Sequence, residues 1–148
     1  MIQNKYAEVA LEIMQNDSEK RRYIAKTNFA CFCMFYFTSY FKTPNAPFHY
    51  QIMQSLEDLQ DNKINELLII GFRSSAKTTL MQLWIIWLII FDKRKYINVD
   101  SYDGENAERT LYEVAQLLAT NDKIIKDYGM FYYRDVSKFT KTQNKVIS

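Results

Sequence analysis

Residues 71 to 78 read Gly71-Phe72-Arg73-Ser74-Ser75-Ala76-Lys77-Thr78, a short polar and cationic patch inside the apolar stretch "LLIIGFRSSAKTTLMQLWIIWLII". The pattern matches G-x-x-x-x-G-K-[ST], with Ala76 standing where the second glycine belongs. In a loop of this kind, backbone N–H groups and the N-terminus of the following helix wrap a phosphate, using the positive end of the helix dipole. Lys77 reaches the outer phosphates as a point charge, and the Thr78 hydroxyl is placed to coordinate Mg²⁺. Gly71, Ser74, Ser75, Ala76 and Thr79 supply the backbone of the loop. If the loop demands a positive φ at Ala76, its Cβ costs about 1 kcal/mol. The bland alternative is a polar turn whose serines cap a helix.

The flanking elements bear on that choice. "INELLIIGF" is a short apolar run without alternation, the pattern of a strand buried on both faces, and such strands occur mostly in parallel sheets. The helix expected after the loop runs to about Phe91, followed by the charged turn "DKRK" and a second strand, "YINVDSY". A further helix has Ala107, Leu111, Val114, Ala115 and Leu118 on one face. Strand, helix, strand, helix predicts an α/β fold: a partial P-loop NTPase core of parallel strands with crossover helices. Loops at the C-terminal edge of such a sheet are where open α/β folds bind ligands.

Upstream, residues 1 to 15 and 18 to 41 read as two helices with Asp17 or Ser18 as a cap between them. They predict an N-terminal helical arm over 1–43, with 44–148 forming the first half of the ATPase domain. Pro44 and Pro47 break the pattern, and Ile52, Leu56 and Leu59 then mark one stripe of a helix. The segment "NFACFCMFYFTSYF" concentrates much of the 16% aromatic content, and packing explains it better than a base-stacking platform. Cys31 and Cys33 offer half the ligands of a zinc site, so two buried thiols in a reducing compartment is the expectation.

Composition narrows the classes further. A chain of 148 residues with 48% apolar content is ordinary for a globular protein. Its net charge of +2 does not by itself point to nucleic acid or an anionic membrane. The basic clusters "DKRK" and "SEKRR" have the look of solvated turns and helix faces and name no DNA-contacting residue. The run "LMQLWIIWLIIF" spans about a dozen residues against the roughly 20 that cross a bilayer, so a core helix is expected and no membrane partner. With no signal peptide at the N-terminus, the expected location is the cytoplasm.

Three blocks resemble the large terminase subunit of tailed bacteriophages, the ATPase that drives DNA into the capsid. "FYFTSYFKTPNAPFHYQIM" is similar to the family's aromatic segment, Pro-containing link and Tyr-Gln helix start. "ELLIIGFRSSAKTTLMQLWIIW" resembles its deviant phosphate-binding motif, with an arginine four residues before the lysine. "KYINVDSYDGENAERTLYEVAQLL" resembles its second strand and following helix. Together they cover about residues 28 to 128. The resemblance implies ATP and Mg²⁺ as cofactors, Gln51 on adenine, Lys77 and Thr78 on phosphates and metal, and Arg73 as the catalytic arginine finger in cis. It implies double-stranded viral DNA, the portal protein and the small terminase subunit as partners, in a homo-oligomeric ring in the host-cell cytoplasm.

Several features depart from the family. Ser74 and Ala76 replace glycines, and the hydrophobic strand ending in Asp-Glu that positions Mg²⁺ does not occur; Asp100 comes too early for it. The resemblance thus implies the N-terminal portion of such a subunit, through truncation, a split gene or a degraded prophage copy. The alternatives from other classes are another P-loop ATPase such as a helicase, and a non-hydrolysing helical interaction module whose loop is vestigial. His49, the only histidine, is expected to be structural.

Overall fold

The computed structural model describes residues 2–42 and 45–131, without side chains for residues 2–7. Pro44 and residues 132–148 lie outside the described residues. The described residues form helices: α1 (Ile2–Asn16), α2 (Ser18–Thr27), α3 (Phe29–Tyr36), α4 (Pro47–Gln60), α5 (Lys77–Ile90), α6 (Gly104–Thr120) and α7 (Asp122–Tyr128), with one 3₁₀ turn at Thr38–Tyr40. They fall into two compact units that divide between Lys93 and Arg94.

The expected α/β fold is not what the chain adopts: no strand and no sheet occur among the described residues. The run 67–70 lies outside any helix or strand, and its side chains alternate between half-buried (Leu67, Ile69) and exposed (Leu68, Ile70). That is the two-residue period of an extended chain. Leu68 and Ile70 are 81% and 86% exposed, the opposite of burial on both faces. In the second unit, residues 96–100 alternate in the same way, with Ile97 and Val99 half-buried. A strand exists only through a ladder with a neighbour. The two runs lie in different units, and among the described residues neither forms a ladder.

In the first unit the helices surround α3, which packs against α1, α2, α4 and α5. A helix that is apolar all round must be buried, and α3 is: Phe29, Phe32, Cys33 and Tyr36 are inaccessible or nearly so. The aromatic segment is therefore largely core from Phe29 to Phe37, as its composition suggests, while Tyr40 is half exposed. The sequence reading ran one helix from 18 to 41, but Asn28 divides it. Its backbone is extended (φ −136°, ψ 108°); its N–H closes the end of α2 on Ile24, and its side chain caps α3 by accepting from the Cys31 N–H. Asparagine does both jobs because its short amide competes with the helical backbone. Asp17 caps α2, its Oδ1 accepting from the N–H groups of Glu19 and Lys20 at 3.0 Å.

Two long-range hydrogen bonds lock the unit. The Trp87 indole N–H of α5 donates to the Ala25 carbonyl at 2.8 Å, in a buried position. The Phe29 N–H at the start of α3 donates to the Glu57 carboxylate of α4 at 2.9 Å. Each partner on the backbone is an end group that its own helix leaves unsatisfied. Phe29 and Trp87 also stack, with centroids 5.3 Å apart, and Lys93 lies 3.9 Å over the Trp87 ring. Burial raises the Cys31 thiol to about 11 and pushes Cys33 up as well, as suits two inert core thiols.

In the second unit α6 and α7 pack together. Asp103 caps α6 through the Glu105 N–H, and Val114, Ala115 and Leu118 are buried on the face that the sequence marks. Ala107 and Leu111 of that face are half-buried. No helix among the described residues is long and apolar enough to cross a membrane. The most apolar, α5, has 14 residues, about 21 Å of rise against a hydrocarbon core of about 30 Å.

Two outcomes follow. Trp87→Phe removes the donor and leaves the Ala25 carbonyl buried without it, so urea unfolding should show a loss of at least about 1–3 kcal/mol; a loss under about 0.5 kcal/mol would deny the bond its role. Glu57 has its carboxyl raised above the ordinary 4.5, first by burial, against the opposing pull of the Phe29 N–H. A raised acid stabilises the fold fully below 4.5, and that contribution is lost as pH climbs through the folded value. Glu57→Gln keeps an acceptor for Phe29 and does not titrate. It should match the wild type near pH 4 and exceed it in melting temperature at pH 7; a wild type that gains on the variant as pH rises would reverse the sign.

Candidate functional site

The loop after Leu67–Ile70 turns at residues 73–76 and enters α5 at Lys77. Two non-glycine residues there have left-handed backbones, Ser74 (φ 65°) and Ala76 (φ 57°, ψ 16°). The condition set for Ala76 is met: its φ is positive, and the Cβ carries its cost. Left-handed residues at this spacing occur in the turns that make concave anion sites out of backbone N–H groups. No side chain caps the N-terminus of α5, and its first turn holds no acid. The positive end of the helix dipole is therefore unmatched.

Lys77 is folded back on its own loop. Its Nζ donates to the Gly71 carbonyl at 2.8 Å, the Phe72 carbonyl at 2.7 Å and Ser75 Oγ at 2.8 Å. An ammonium has three protons, so all three are engaged. Ser75 is nearly fully buried, which fixes one of those acceptors in place. Gly71 is needed here for close approach: a Cβ on it would stand 3.1 Å from Ser75 Oγ and 3.4 Å from Lys77 Cδ and Nζ.

Beside this knot lies a pocket of about 430 Å³, within the range of small-molecule sites. One wall is the face of α4 carrying Phe48, Gln51, Ile52 and Ser55; the other is residues 67–72 with Ser75 and Lys77. The structure thus brings together Gln51, Gly71, Ser75 and Lys77 from among the residues singled out in the sequence. Gln51 is exposed at the pocket wall. Arg73, Ser74 and Ala76 are exposed on the loop and do not line the pocket, and neither do Thr78, exposed, and Thr79, half-buried. Among the described residues Arg73 makes no ion pair and the Thr78 hydroxyl makes no hydrogen bond.

Sequence reasoning missed Phe48, Ile52, Ser55 and Phe72. The signal was available for three of them, because 48, 51, 52 and 55 recur at helical spacing around Gln51. Phe48 and Phe72, both lining the pocket, meet edge to face with centroids 5.7 Å apart. His49 is structural, as expected: its Nδ1 accepts from the Ala46 N–H at 3.2 Å, the place a Glu or Gln takes in a capping box. No group of three or more His, Cys, Asp or Glu among the described residues could hold a metal ion. Asp100 belongs to the second unit, is exposed and accepts from Asn98 Nδ2 at 2.9 Å.

Replacing Ala76 by glycine should stabilise the chain by about 0.5–1 kcal/mol, since the exposed methyl packs on little and the left-handed backbone no longer carries a Cβ. Ala76→Val should destabilise it. Thermal melts of the two variants read the pair, and a glycine variant that melts below the wild type would contradict the strain.

No protein-family model matches this chain, and no curated protein or solved structure proved similar to it.

Proposed function

We propose that the first unit binds a nucleoside triphosphate, ATP with Mg²⁺, at the Lys77 loop and the adjoining pocket. The chain would serve as the ATP-binding N-terminal portion of a terminase-type ATPase that packages double-stranded viral DNA with a portal protein and a small terminase subunit. The observation that carries the ATP part is Lys77: a cation at an uncapped helix N-terminus, on the wall of a pocket whose far side presents the Gln51 amide. The terminase part rests on the three sequence blocks. Triphosphate oxygens can take the place of the Gly71, Phe72 and Ser75 acceptors on the ammonium, and the exchange of three existing hydrogen bonds makes the affinity modest.

Thr78, exposed beside Lys77 and outside the pocket lining, would be the residue to hold Mg²⁺, which would supply neutralisation of phosphate charge. Arg73, exposed and unpaired among the described residues, is free to swing toward the outermost phosphate. No carboxylate of the first unit lines the pocket to activate a water, so hydrolysis by this unit alone is not part of the proposal. A second reading, a helical interaction module, has its own observation in the exposed Leu68, Ile70 and Phe72.

Calorimetric titration of Mg-ATP into the full chain and into Lys77→Ala and Lys77→Met decides between them. Binding that falls about 10- to 150-fold in both variants, the value of charge-assisted hydrogen bonds of 1.5–3 kcal/mol, is the expected outcome. Melting curves run beside it separate loss of the site from loss of the fold. A well-folded wild type that takes up no Mg-ATP would favour the interaction module.

A further inference from the structure

Phe72 carries one of the larger exposed apolar surfaces of the first unit, 67% accessible, and yet it is held in place. Its ring meets the Phe48 ring edge to face, with centroids 5.7 Å apart. Phe48 in turn packs on the His49 ring, with centroids 4.1 Å apart, and His49 is anchored at the α4 N-terminus by the Ala46 N–H. An exposed ring gains nothing from burial. A ring fixed by a second ring offers a pre-positioned flat face, and flat faces bind planar heteroaromatic groups of any identity by stacking.

Position supplies the rest. The two rings border the same pocket that Lys77 lines, so one ligand that is aromatic at one end and anionic at the other meets both. The remaining polar side chains of the α4 wall, Gln51 and Ser55, are uncharged and suit the base or sugar of a nucleotide better than its phosphates. Resting on the nucleotide reading above, we infer that Phe72, backed by Phe48, is the base-stacking residue of this pocket, which makes the site selective for nucleoside triphosphates over inorganic polyphosphate.

Titrations of Mg-ATP and of Mg-tripolyphosphate into the wild type, Phe72→Ala and Phe72→Tyr test this. Expected are tighter binding of ATP than of tripolyphosphate by the wild type, and a loss of about 5- to 150-fold for ATP in Phe72→Ala, the range that a lost base stack produces. Tripolyphosphate affinity should stay unchanged in that variant, and Phe72→Tyr should bind ATP as the wild type does. Equal losses for both ligands in Phe72→Ala would make Phe72 a loop-shaping residue and overturn the inference. So would a wild type that binds both ligands alike, an outcome that leaves the Lys77 phosphate site standing. Binding of neither ligand overturns the phosphate reading and the stacking role together.

Discussion

The hydrogen bond from the Trp87 indole to the Ala25 carbonyl ties together residues 62 positions apart, and the arrangement of the first unit depends on it. Every helix ends with carbonyls that lack an intrahelical partner. In α2 one of them is satisfied from inside the core by a side chain of α5, while the ring that carries the donor stacks on Phe29 at the start of α3. Three helices therefore meet at one indole. Because Trp87 stands ten residues beyond Lys77 on a continuous helix, about 15 Å along its axis, fixing this end also aims the other. The Lys77 loop is thus positioned by a core contact remote from it.

The opposite end of α5 is where favourable local choices are given up. It begins with a lysine at a dipole end that prefers an anion, follows two left-handed non-glycine residues, and has no capping side chain. Carbonyls and a buried hydroxyl hold the ammonium in compensation. Local rules broken together at one loop, beside a pocket, are grounds for the nucleotide-binding proposal.

Much of the helical content was legible. Asp17 acts as a cap, Pro47 opens α4, and the α6 face is buried at Val114, Ala115 and Leu118. The division of the expected 18–41 helix at Asn28 was missed because the aromatic part that follows it, α3, is apolar all round and shows no periodicity of its own. The parallel sheet was the larger error. An apolar run such as 64–72 fits a buried strand and an unpaired extended segment equally well by composition, and the difference lies in whether a neighbour supplies the ladder.

The sequence by itself determined the local features: where helices start, which residue types crowd the loop, and that α5 is too short and too close to Lys77 to span a bilayer. These depend on groups within a turn or two of one another. Only the tertiary structure decided that Glu57 caps α3, that Trp87 completes α2, and that Gln51 and Lys77 line one pocket while Thr78 does not. It also decided that the two apolar runs form no ladder among the described residues. Those outcomes are set by which distant backbone groups are left without partners, and a chain read residue by residue does not say what will come to satisfy them.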